Sequence, residues 1–580
     1  MVAIVRRPVP CAQLLQALSG LDPLIARLYA ARQVESADDV EHVLGKLRTY
    51  HGVMGIERAV DLLEGALRSQ ARILVVGDFD ADGATSTAVA IRALRAFGAS
   101  NVDYLVPNRF EFGYGLTPEI VDLAASRAPD LIITVDNGIS SLDGVRRAHS
   151  LGIQVLVTDH HLPGSALPDA DAIVNPNQHG DNSALGTLAG VGVIFYVMLA
   201  LRARLREHAW FEDLPDPNLA ALLDLVAVGT VADVAPLDAN NRILVAQGLE
   251  RLRRGQGSPG VRALLRVARR DAQFATAGDL AFAVGPRLNA AGRLTDMSTG
   301  IECLLCDDPP EAFRWAERLE ALNQERRSLE AEMTREAEAQ VETLALEQAA
   351  LPAGLCLFDE SWHPGIVGII ASRVKDQTHR PVIAFARDGA EQLKGSGRSI
   401  GPLHIRDAIE RVAGLLPGTV ERFGGHAMAA GLTLSRSALP AFSEAFAAHV
   451  SQSVPREALD RVWVTDGELT PAQLTLSVAR ALREAGPWGQ GFPEPLFDGV
   501  FDVEDKRTVG GKHTRLVVRP AGMEAAQSPT VEAIAFNTDT SIFGPDPMHL
   551  IYRLDVNRFR GVERLQLVVE HVQVAAAQRL

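Results

Sequence analysis

Three short apolar segments, each followed at once by acidic residues, constrain the fold of this chain more than any other feature. They span residues 72–77, 131–135 and 155–158, and stretches with helical patterning at 84–97, 118–126 and 142–150 lie between or beside them. Strands that alternate with helices form a parallel sheet whose strand carboxyl ends share one edge. Ligand sites of open α/β sheets lie at that edge. The sequence therefore predicts an α/β domain in which the acidic residues meet.

The first acidic group is Asp78, Asp80 and Asp82, followed by Gly83. Alternate side chains along a strand point to one side, so the three carboxylates are expected to lie together. Such carboxylates repel one another unless a cation intervenes, and oxygen ligands favour Mg²⁺ or Mn²⁺. A calcium loop would need glutamate at the position of Val89. The segment by itself leaves open a metal site and an Asp/Gly turn with solvated acids.

The other two apolar segments end in further polar groups of the same chemical kind. Asp136 follows the second segment, and Asp159, His160 and His161 follow the third. Since the strand ends share one edge of a parallel sheet, these side chains are expected to converge with the first acidic group.

Four motifs, in this order, resemble those of the DHH phosphoesterase superfamily. They are Asp-Phe-Asp-Ala-Asp-Gly at 78–83, Val-Asp-Asn-Gly at 135–138, Asp-His-His at 159–161 and Gly-Thr-Val-Ala-Asp at 229–233. Within the superfamily the chain resembles the RecJ family of bacterial single-strand-specific exonucleases, with further matches at 285–293, 362–368 and 424–431. The resemblance covers nearly the whole chain. Four ordered acidic motifs are far more specific than a lone Asp-His-His.

The resemblance implies phosphodiester hydrolysis with two divalent metal ions, Mn²⁺ or Mg²⁺. The implied metal ligands are Asp78, Asp80, Asp82, Asp136, His160 and Asp233. Asp136 would bridge the two ions and also counts, with His160, among the catalytic residues. Asp80 would bind one ion and Asp82 the other. Asp78 would bind the first ion directly or hold it indirectly, through groups that themselves bind the ion.

Three more residues receive roles from the same resemblance. Asp159 would orient a neighbouring imidazole, as metal-site histidines usually need such a partner, and His161 would contact the scissile phosphate or the leaving oxygen. Many relatives carry histidine four residues before Asp80, where this chain has Val76. The first ion is therefore expected to have fewer protein ligands.

Substrate contacts are also implied, and most of them lie outside the acidic motifs. The candidates are Arg109, Arg287, Asn289, Ser372, Arg373, Arg398, Gly424, Gly425 and His426. Arginine and histidine donate hydrogen bonds to phosphate oxygens, and glycine lets the backbone approach a substrate closely. Arg109 and the pair Ser372 and Arg373 are candidates for the pocket of a terminal 5′ phosphate. Solvated arginines and a glycine turn are the alternative interpretation.

The chain is expected to form two α/β lobes joined by a long helix and followed by a small β-barrel. The predicted segments are a helical lead-in (1–48), the DHH catalytic domain (49–305), a linker helix (306–350), a DHHA1 substrate-binding domain (351–455) and an OB-like nucleic-acid-binding domain (456–580). The helix is predicted because 311–350 contains neither proline nor glycine. The names of the lobes and of the barrel come from the resemblance.

Composition limits the setting in which such an enzyme would act. Four cysteines give no disulfide framework, no apolar stretch is long enough to span a membrane, and the N-terminus lacks a sustained apolar segment for export. We therefore expect a cytoplasmic protein, and a monomer. The net charge of −15 suits phosphate binding poorly, but basic residues cluster at 251–270 and 506–515.

The predicted activity is single-strand-specific exonuclease cleavage of DNA from the 5′ end to mononucleotides, in DNA repair and recombination. Single-stranded DNA is the implied partner, and single-strand-binding protein or a helicase could contact the enzyme, although no motif shows either. One alternative is a DHH-type phosphodiesterase acting on cyclic dinucleotides or short oligonucleotides, which should not need the C-terminal β domain. Another is a non-catalytic replication scaffold, against which the intact acidic motifs argue.

Overall fold

The computed structural model describes residues 3–107, 115–347, 351–522, 530–545 and 547–575. The chain divides into two compact units. The large unit comprises Val5–Glu320 and Val464–Leu580, and the small unit comprises Met1–Ile4 and Ala321–Trp463. None of the helices in the described ranges has the length of apolar sequence that a membrane-spanning segment requires.

The chain begins with a strand and two short helices, so the predicted lead-in is only partly helical. These elements are β1 (Ala3–Arg6), α1 (Ala12–Ala17) and α2 (Pro23–Ala30). Asp22 begins α2 by accepting hydrogen bonds from the backbone N–H groups of Leu24 and Ile25. Such a cap stabilises a helix whose first N–H groups have no partner within the helix.

A five-stranded parallel sheet lies at the centre of the large unit, in the order β3-β2-β4-β5-β6. The elements are α3 (Ile56–Arg68), β2 (Ile73–Gly77), α4 (Ala81–Ala96), β3 (Val102–Leu105), α5 (Pro118–Ala125), β4 (Leu131–Val135), α6 (Leu142–Ser150), β5 (Gln154–Thr158) and β6 (Ala172–Val174). Every residue of β2 and β4 is buried, as expected for a sheet that helices cover on both faces. Gly77 pairs with Val135, and Val135 pairs with Thr158. The three strands therefore end level with one another, which confirms the predicted α/β fold.

A helical region follows the sheet and packs against it through α4. Its helices are α7 (Gly190–Glu207), α8 (Leu223–Ala232), α9 (Ala239–Arg253), α10 (Pro259–Val267), α11 (Ala277–Asp279), α12 (Gly285–Leu294) and α13 (Ser298–Leu305), with a π-helical turn at Leu280–Val284. The next helix, α14 (Pro309–Glu347), is a single helix of 39 residues. Its first turns belong to the large unit and the remainder to the small unit.

The small unit contains a second, mixed five-stranded sheet in the order β10-β11-β9-β8-β7. Its elements are β7 (Leu355–Phe358), α15 (Val367–Thr378), β8 (Val382–Asp388), β9 (Gln392–Arg398), α16 (Ile405–Leu415), β10 (Val420–Gly425), β11 (Ala429–Ser435) and α17 (Leu439–Ser453). Phe385 and Leu432 from one sheet face share a core with Ile409 of α16 and Phe446 of α17. The opposite face carries α15 on β8 and β9.

The last segment forms a closed five-stranded barrel in the order β13-β14-β15-β17-β16. Its elements are β12 (Val462–Thr465), α18 (Leu476–Glu484), β13 (Phe497–Val509), β14 (His513–Pro520), β15 (Val531–Ala535), β16 (Met548–Phe559) and β17 (Val562–Val574). Phe497 and Phe501, which could in principle stack on bases, are buried in its core beside Tyr552. The predicted small barrel is confirmed.

Candidate metal centre

The acidic loop after β2 turns directly into a helix. Asp80 is the residue that begins α4, because its Oδ1 accepts hydrogen bonds from the backbone N–H groups of Asp82 at 2.9 Å and Gly83 at 3.0 Å. Asp82 consequently lies in the first helical turn. The prediction that Asp78, Asp80 and Asp82 alternate along a strand is wrong, since an aspartate in this position caps a helix as readily as it continues a strand.

The start of α7 holds the carboxylate of Asp82. The backbone N–H groups of Gly190 and Val191 donate to its two oxygens at 2.7 and 3.0 Å. A side chain on Gly190 would place its Cβ 2.6 Å from the Cβ and Oδ1 atoms of Asp136, so only glycine leaves room for that aspartate. Sequence reasoning missed Gly190 and Val191. The available signal was glycine at the start of a helix, a common setting for binding anionic groups through the backbone.

Asp136 occupies the end of β4 in a strained conformation, with a positive φ of 61°. Its backbone N–H donates to the Thr158 carbonyl at 3.1 Å, and its Oδ1 lies 3.1 Å from Nε2 of His160. The neighbouring Asn137 donates from its side-chain amide to the carbonyls of Val76 and Val135, which fastens two strand ends together. Left-handed backbone is uncommon in non-glycine residues, although aspartate adopts it more readily than most, and it recurs at functional sites.

Asp159 organises the histidine pair at the end of β5. Its buried carboxylate accepts hydrogen bonds from the backbone N–H groups of Ile139 at 2.9 Å and His161 at 3.1 Å. It also lies 2.7 Å from Nδ1 of His161, which fixes the orientation of that ring. The part that Asp159 and His161 play in catalysis stays a prediction.

All six predicted metal ligands lie together. Candidate ligand atoms form three overlapping sets, each within 4.8 Å: Asp78, Asp80 and Asp136; Asp82, His160 and Asp233; and Asp136, His160 and His161. Asp136 and His160 each belong to two of the sets. Carboxylate oxygens with one or two imidazole nitrogens suit Mn²⁺ and Mg²⁺, so the donor set fits two adjacent divalent ions. The assignment of each ligand to an ion stays a prediction.

The carboxylates resist ionisation in the absence of a cation. Burial and then the negative charge of neighbouring aspartates raise the pKa of Asp82 to about 7 and that of Asp233 to about 9. The same causes raise the pKa of Asp136 well above its ordinary value. Groups of like charge brought this close cannot all be charged unless a cation compensates them.

The two histidines differ in charge. Burial, followed by the nearby charge of His161, lowers the pKa of His160 to about 4, so its ring is neutral and can bind a metal ion. Burial also works against the charged form of His161, but the hydrogen bond and charge of Asp159 outweigh it and raise the pKa of His161 to about 9.

Helix α12 supports the acidic loop from behind. The side-chain oxygen of Asn289 accepts a hydrogen bond from the backbone N–H of Ala81 at 2.8 Å. A side chain on Gly292 would place its Cβ 1.8 Å from the Phe79 carbonyl oxygen, so the helix and the loop touch through their backbones. Arg287 is buried and lies 2.6 Å from Glu320. Substrate contacts by Arg287 and Asn289 stay predictions.

The remaining described candidates belong to the small unit. Arg398, on β9, donates to the Ser396 hydroxyl at 3.1 Å and to the Gly397 carbonyl at 2.8 Å, and burial lowers the pKa of this guanidinium. On α15, Ser372 is half-buried and the exposed Arg373 lies 3.0 Å from Glu330. Within the described ranges Arg398 therefore forms no ion pair with a carboxylate, whereas Arg373 does.

The two-glycine motif ends an edge strand of the same sheet. Gly425 has a positive φ of 135°, and the backbone N–H of the exposed His426 donates to the Ala429 carbonyl at 2.7 Å. Ala429 is paired with Arg398 on β9. Gly424, Gly425, His426 and Arg398 thus lie at one end of one sheet. Arg109 lies outside the described residues.

Comparisons with known proteins match the three regions of the chain. The DHH family N-terminal domain matches residues 72–230, the DHHA1 domain matches 349–452, and the RecJ OB domain matches 465–571. The single-stranded-DNA-specific exonuclease RecJ of Escherichia coli is 53% identical over 557 residues, covering 95% of this chain and 96% of the relative. The protein of the same name from Thermus thermophilus is 35% identical over 571 residues, covering 96% of this chain and 78% of the relative.

Solved structures are similar over a comparable length. The crystal structure of RecJ in complex with Mn²⁺ from Thermus thermophilus has a TM-score of 0.79 at 32% identity and covers 99% of this chain and 80% of that one. The crystal structure of exonuclease RecJ bound to manganese has a TM-score of 0.58 at 37% identity and covers 69% of this chain and 95% of that one. Both similarities include more than half of this chain.

Proposed function

This chain belongs to the RecJ family of single-stranded-DNA-specific exonucleases, and on that premise we propose that it hydrolyses single-stranded DNA at the acidic centre of the large unit. Cleavage begins at the 5′ end and releases mononucleotides, in DNA repair and recombination. The observation that carries the proposal is the group of three overlapping ligand sets, linked to one another through Asp136 and His160, beside the level ends of β2, β4 and β5.

The chain's residues would hold two divalent ions, Mn²⁺ or Mg²⁺. Asp78 and Asp80 would bind one ion, Asp82, His160 and Asp233 the other, and Asp136 both. Bound ions supply Lewis-acid activation of water and compensate the negative charge that develops on a phosphodiester. Only neutral imidazole binds metal, and the lowered pKa of His160 keeps it in that form.

His161 and Asp159 position the substrate rather than the ions in this proposal. The 2.7 Å contact with Asp159 directs Nδ1 of His161 away from the reaction and keeps the ring in one orientation. The charge that Asp159 stabilises on His161 suits a ring that donates to an oxygen of the scissile phosphate or to the leaving oxygen. Asp159 is thus a positioning residue.

The small unit contributes phosphate contacts. Arg398 would donate to a phosphate oxygen, since a guanidinium without a paired carboxylate forms strong bidentate hydrogen bonds to phosphate. Gly424, Gly425 and His426 would contact the same nucleotide through the backbone and the imidazole. Ser372 and Arg373 would bind the terminal 5′ phosphate, which sets the direction of cleavage, together with Arg109. The barrel would also bind single-stranded DNA, as OB folds do.

The same proposal includes the cellular setting. The enzyme acts in the cytoplasm as a monomer, with single-strand-binding protein or a helicase as protein partners. Four free cysteines support a reducing compartment. Size-exclusion chromatography with light scattering, with and without purified single-strand-binding protein, tests the oligomeric state and that partnership.

The activity is tested with Mn²⁺ and oligonucleotides labelled at either end. We expect mononucleotide release from the 5′ end of single-stranded DNA, with little cleavage of duplex DNA. Release from the 3′ end, or rapid turnover of a cyclic dinucleotide without DNA cleavage, would contradict the proposal. Asp136→Ala should remove hydrolysis while the circular dichroism spectrum stays unchanged, which excludes a contaminating nuclease.

A further inference from the structure

One face of the small unit's sheet combines bare backbone with cations that lack acidic partners. We propose that this surface binds the backbone of single-stranded DNA downstream of the nucleotide held by Arg398. The surface, which we name the glycine track, consists of Lys394, Arg398, Arg422, Gly424, Gly431 and Thr433. The inference rests on the proposed function, because it extends the path of the same substrate.

Strand geometry assigns Lys394 and Arg398 to one face of β9. A side chain on Gly395 would place its Cβ 2.5 Å from the ring of Phe385, which belongs to the buried core. Side chains alternate along a strand, so even-numbered residues of β9 point away from that core. Lys394 and Arg398 therefore share the face that α16 and α17 leave uncovered.

Cross-strand pairing builds two rows on this face. Thr433 of β11 is paired with Lys394 on one side and with Arg422 on the other. These three residues form one row across three strands. We call it the cationic row, because a cation stands at each end of it. Gly431 of β11 is paired with Gly424 of β10 in the next row. A glycine floor thus lies beside the cationic row.

The glycine floor is open to ligands. A Cβ on Gly424 would meet no atom within 4 Å, and one on Gly431 would meet only the Gly395 carbonyl oxygen, at 3.8 Å. Helix α15 packs on this face against β8 and β9, whereas Gly424 and Gly431 are exposed. The backbone of Gly424 and Gly431 is therefore exposed beside the part of the sheet that α15 covers. Because glycine has no side chain, a ligand can approach this backbone closely.

The cations of the track are not neutralised by the protein. Lys394 and Arg422 are exposed, and among the residues the structure describes neither makes an ion pair or a side-chain hydrogen bond. Some other arginines of the small unit are paired, such as Arg373 with Glu330. In a chain of net charge −15, unpaired cations gathered on one face are suited to phosphate.

The spacing of the rows matches a ligand with repeated negative charge. Residues two apart on a strand are about 7 Å apart, so the cationic row lies about 13 Å from Arg398 with the glycine row between. One DNA strand could place a phosphate at Arg398, a nucleoside over the glycines and a later phosphate at the cationic row. Beyond that row Gln392 donates to the acidic Glu421 at 2.7 Å, which ends the positive surface.

The test compares two double variants with the same change in charge. Lys394→Gln with Arg422→Gln removes the cationic row, and Arg387→Gln with Arg411→Gln removes two exposed arginines of the same unit that lie outside the track. Binding of a 5′-phosphorylated strand of about a dozen nucleotides is measured by fluorescence anisotropy with EDTA, over a range of salt concentrations. Cleavage of this strand and of a 5′-phosphorylated dinucleotide is measured with Mn²⁺.

Loss of two phosphate contacts should raise Kd about 10-fold and reduce the slope of log Kd against log salt by about 1.4. The kcat/KM should fall for the long strand but not for the dinucleotide, which cannot reach the row. Binding and cleavage equal to those of the control double variant would overturn the inference. Cleavage of neither DNA by the unmodified enzyme would instead overturn the proposed function, and the anisotropy measurement would still decide the inference.

Gly431→Thr is a second test of the inference, in a variant that should remain folded. Threonine favours strands, and its Cβ would meet only the Gly395 carbonyl oxygen at 3.8 Å, an ordinary contact, so the melting temperature should not fall. The added side chain would nevertheless cover the floor, and affinity for the long strand should fall to a similar extent. Unchanged affinity in this variant would also overturn the inference.

Discussion

At the scale of single residues, Asp136 decides what the centre can do. It is shared by two ligand sets, adopts a left-handed backbone and fits only because position 190 is glycine. Its burial beside other aspartates is electrostatically unfavourable, and a bound cation would compensate that repulsion. The free energy of unfolding of the metal-free protein should therefore depend on this residue.

We expect the metal-free protein to lose stability as the pH rises. The pKa values of Asp82 and Asp233 are about 7 and about 9, against an ordinary value of 3.8. Between about pH 4 and pH 9 the folded state thus binds more protons than the unfolded state, so the free energy of unfolding falls across that range. Asp136→Asn removes one of the repelling groups and should make this decline shallower.

Thermal melting with EDTA at pH 5 to 9 measures this effect. At pH 8 the Asp136→Asn protein should melt at a higher temperature than the unmodified protein, although hydrolysis falls on the order of 10³-fold or more. Asp213→Asn, which changes an exposed carboxylate, should match the unmodified protein in both respects. A melting temperature independent of pH would contradict the repulsion assigned to the buried carboxylates.

At the scale of elements, the centre depends on where β2, β4 and β5 end and where α4 and α7 begin. The strand ends bring Asp78, Asp136 and His160 together because the pairing is parallel and level. The first turn of α7 then supplies two backbone N–H groups to Asp82. Helix starts carry partial positive charge, so this contact offsets part of the cost of a buried carboxylate.

We expect Gly190→Ala to damage the centre while leaving the fold in place. The new Cβ would lie 2.6 Å from Asp136, so that aspartate or the start of α7 must shift. Affinity for Mn²⁺ by calorimetry and turnover of single-stranded DNA should both fall, the latter about 100-fold. Gly65→Ala is the matched control: its Cβ meets nothing within 4 Å in the interior of α3, and it should stabilise the protein by up to about 1 kcal/mol. Normal metal affinity in Gly190→Ala would contradict the proposed packing.

Much of this arrangement is predictable from sequence, and the exceptions have physical reasons. The bounds of β4 and α6 are those expected from their apolar patterns. Neither β10 nor β11 is predicted from the sequence. Exposed residues and glycine give β10 no alternating apolar signal, whereas in β11 the alternation of Ala430, Leu432 and Leu434 was an available signal. The convergence of the acidic groups was predicted correctly, but for Asp82 the reason was wrong. Its position depends on a helix cap and on α7, a contact across 108 residues that no local pattern reveals.

At the scale of the whole molecule, the two units carry different parts of the proposed reaction. The large unit holds the acidic centre and the barrel, and the small unit holds Arg398 and the glycine track. The net charge of −15 is compatible with this division, since the carboxylates of the acidic centre account for part of the surplus of negative charge. Binding of the strand and hydrolysis should therefore be separable by mutation.

The central claim is that two metal ions share Asp136, and anomalous scattering measures this most directly. Crystals of the Asp159→Asn protein with Mn²⁺ and single-stranded DNA would be measured at the manganese absorption edge, since slower turnover should preserve the substrate. We expect two anomalous peaks roughly 3.5–4 Å apart, with Asp136 coordinated to both. A single peak, or two peaks of which Asp136 contacts only one, would contradict that claim.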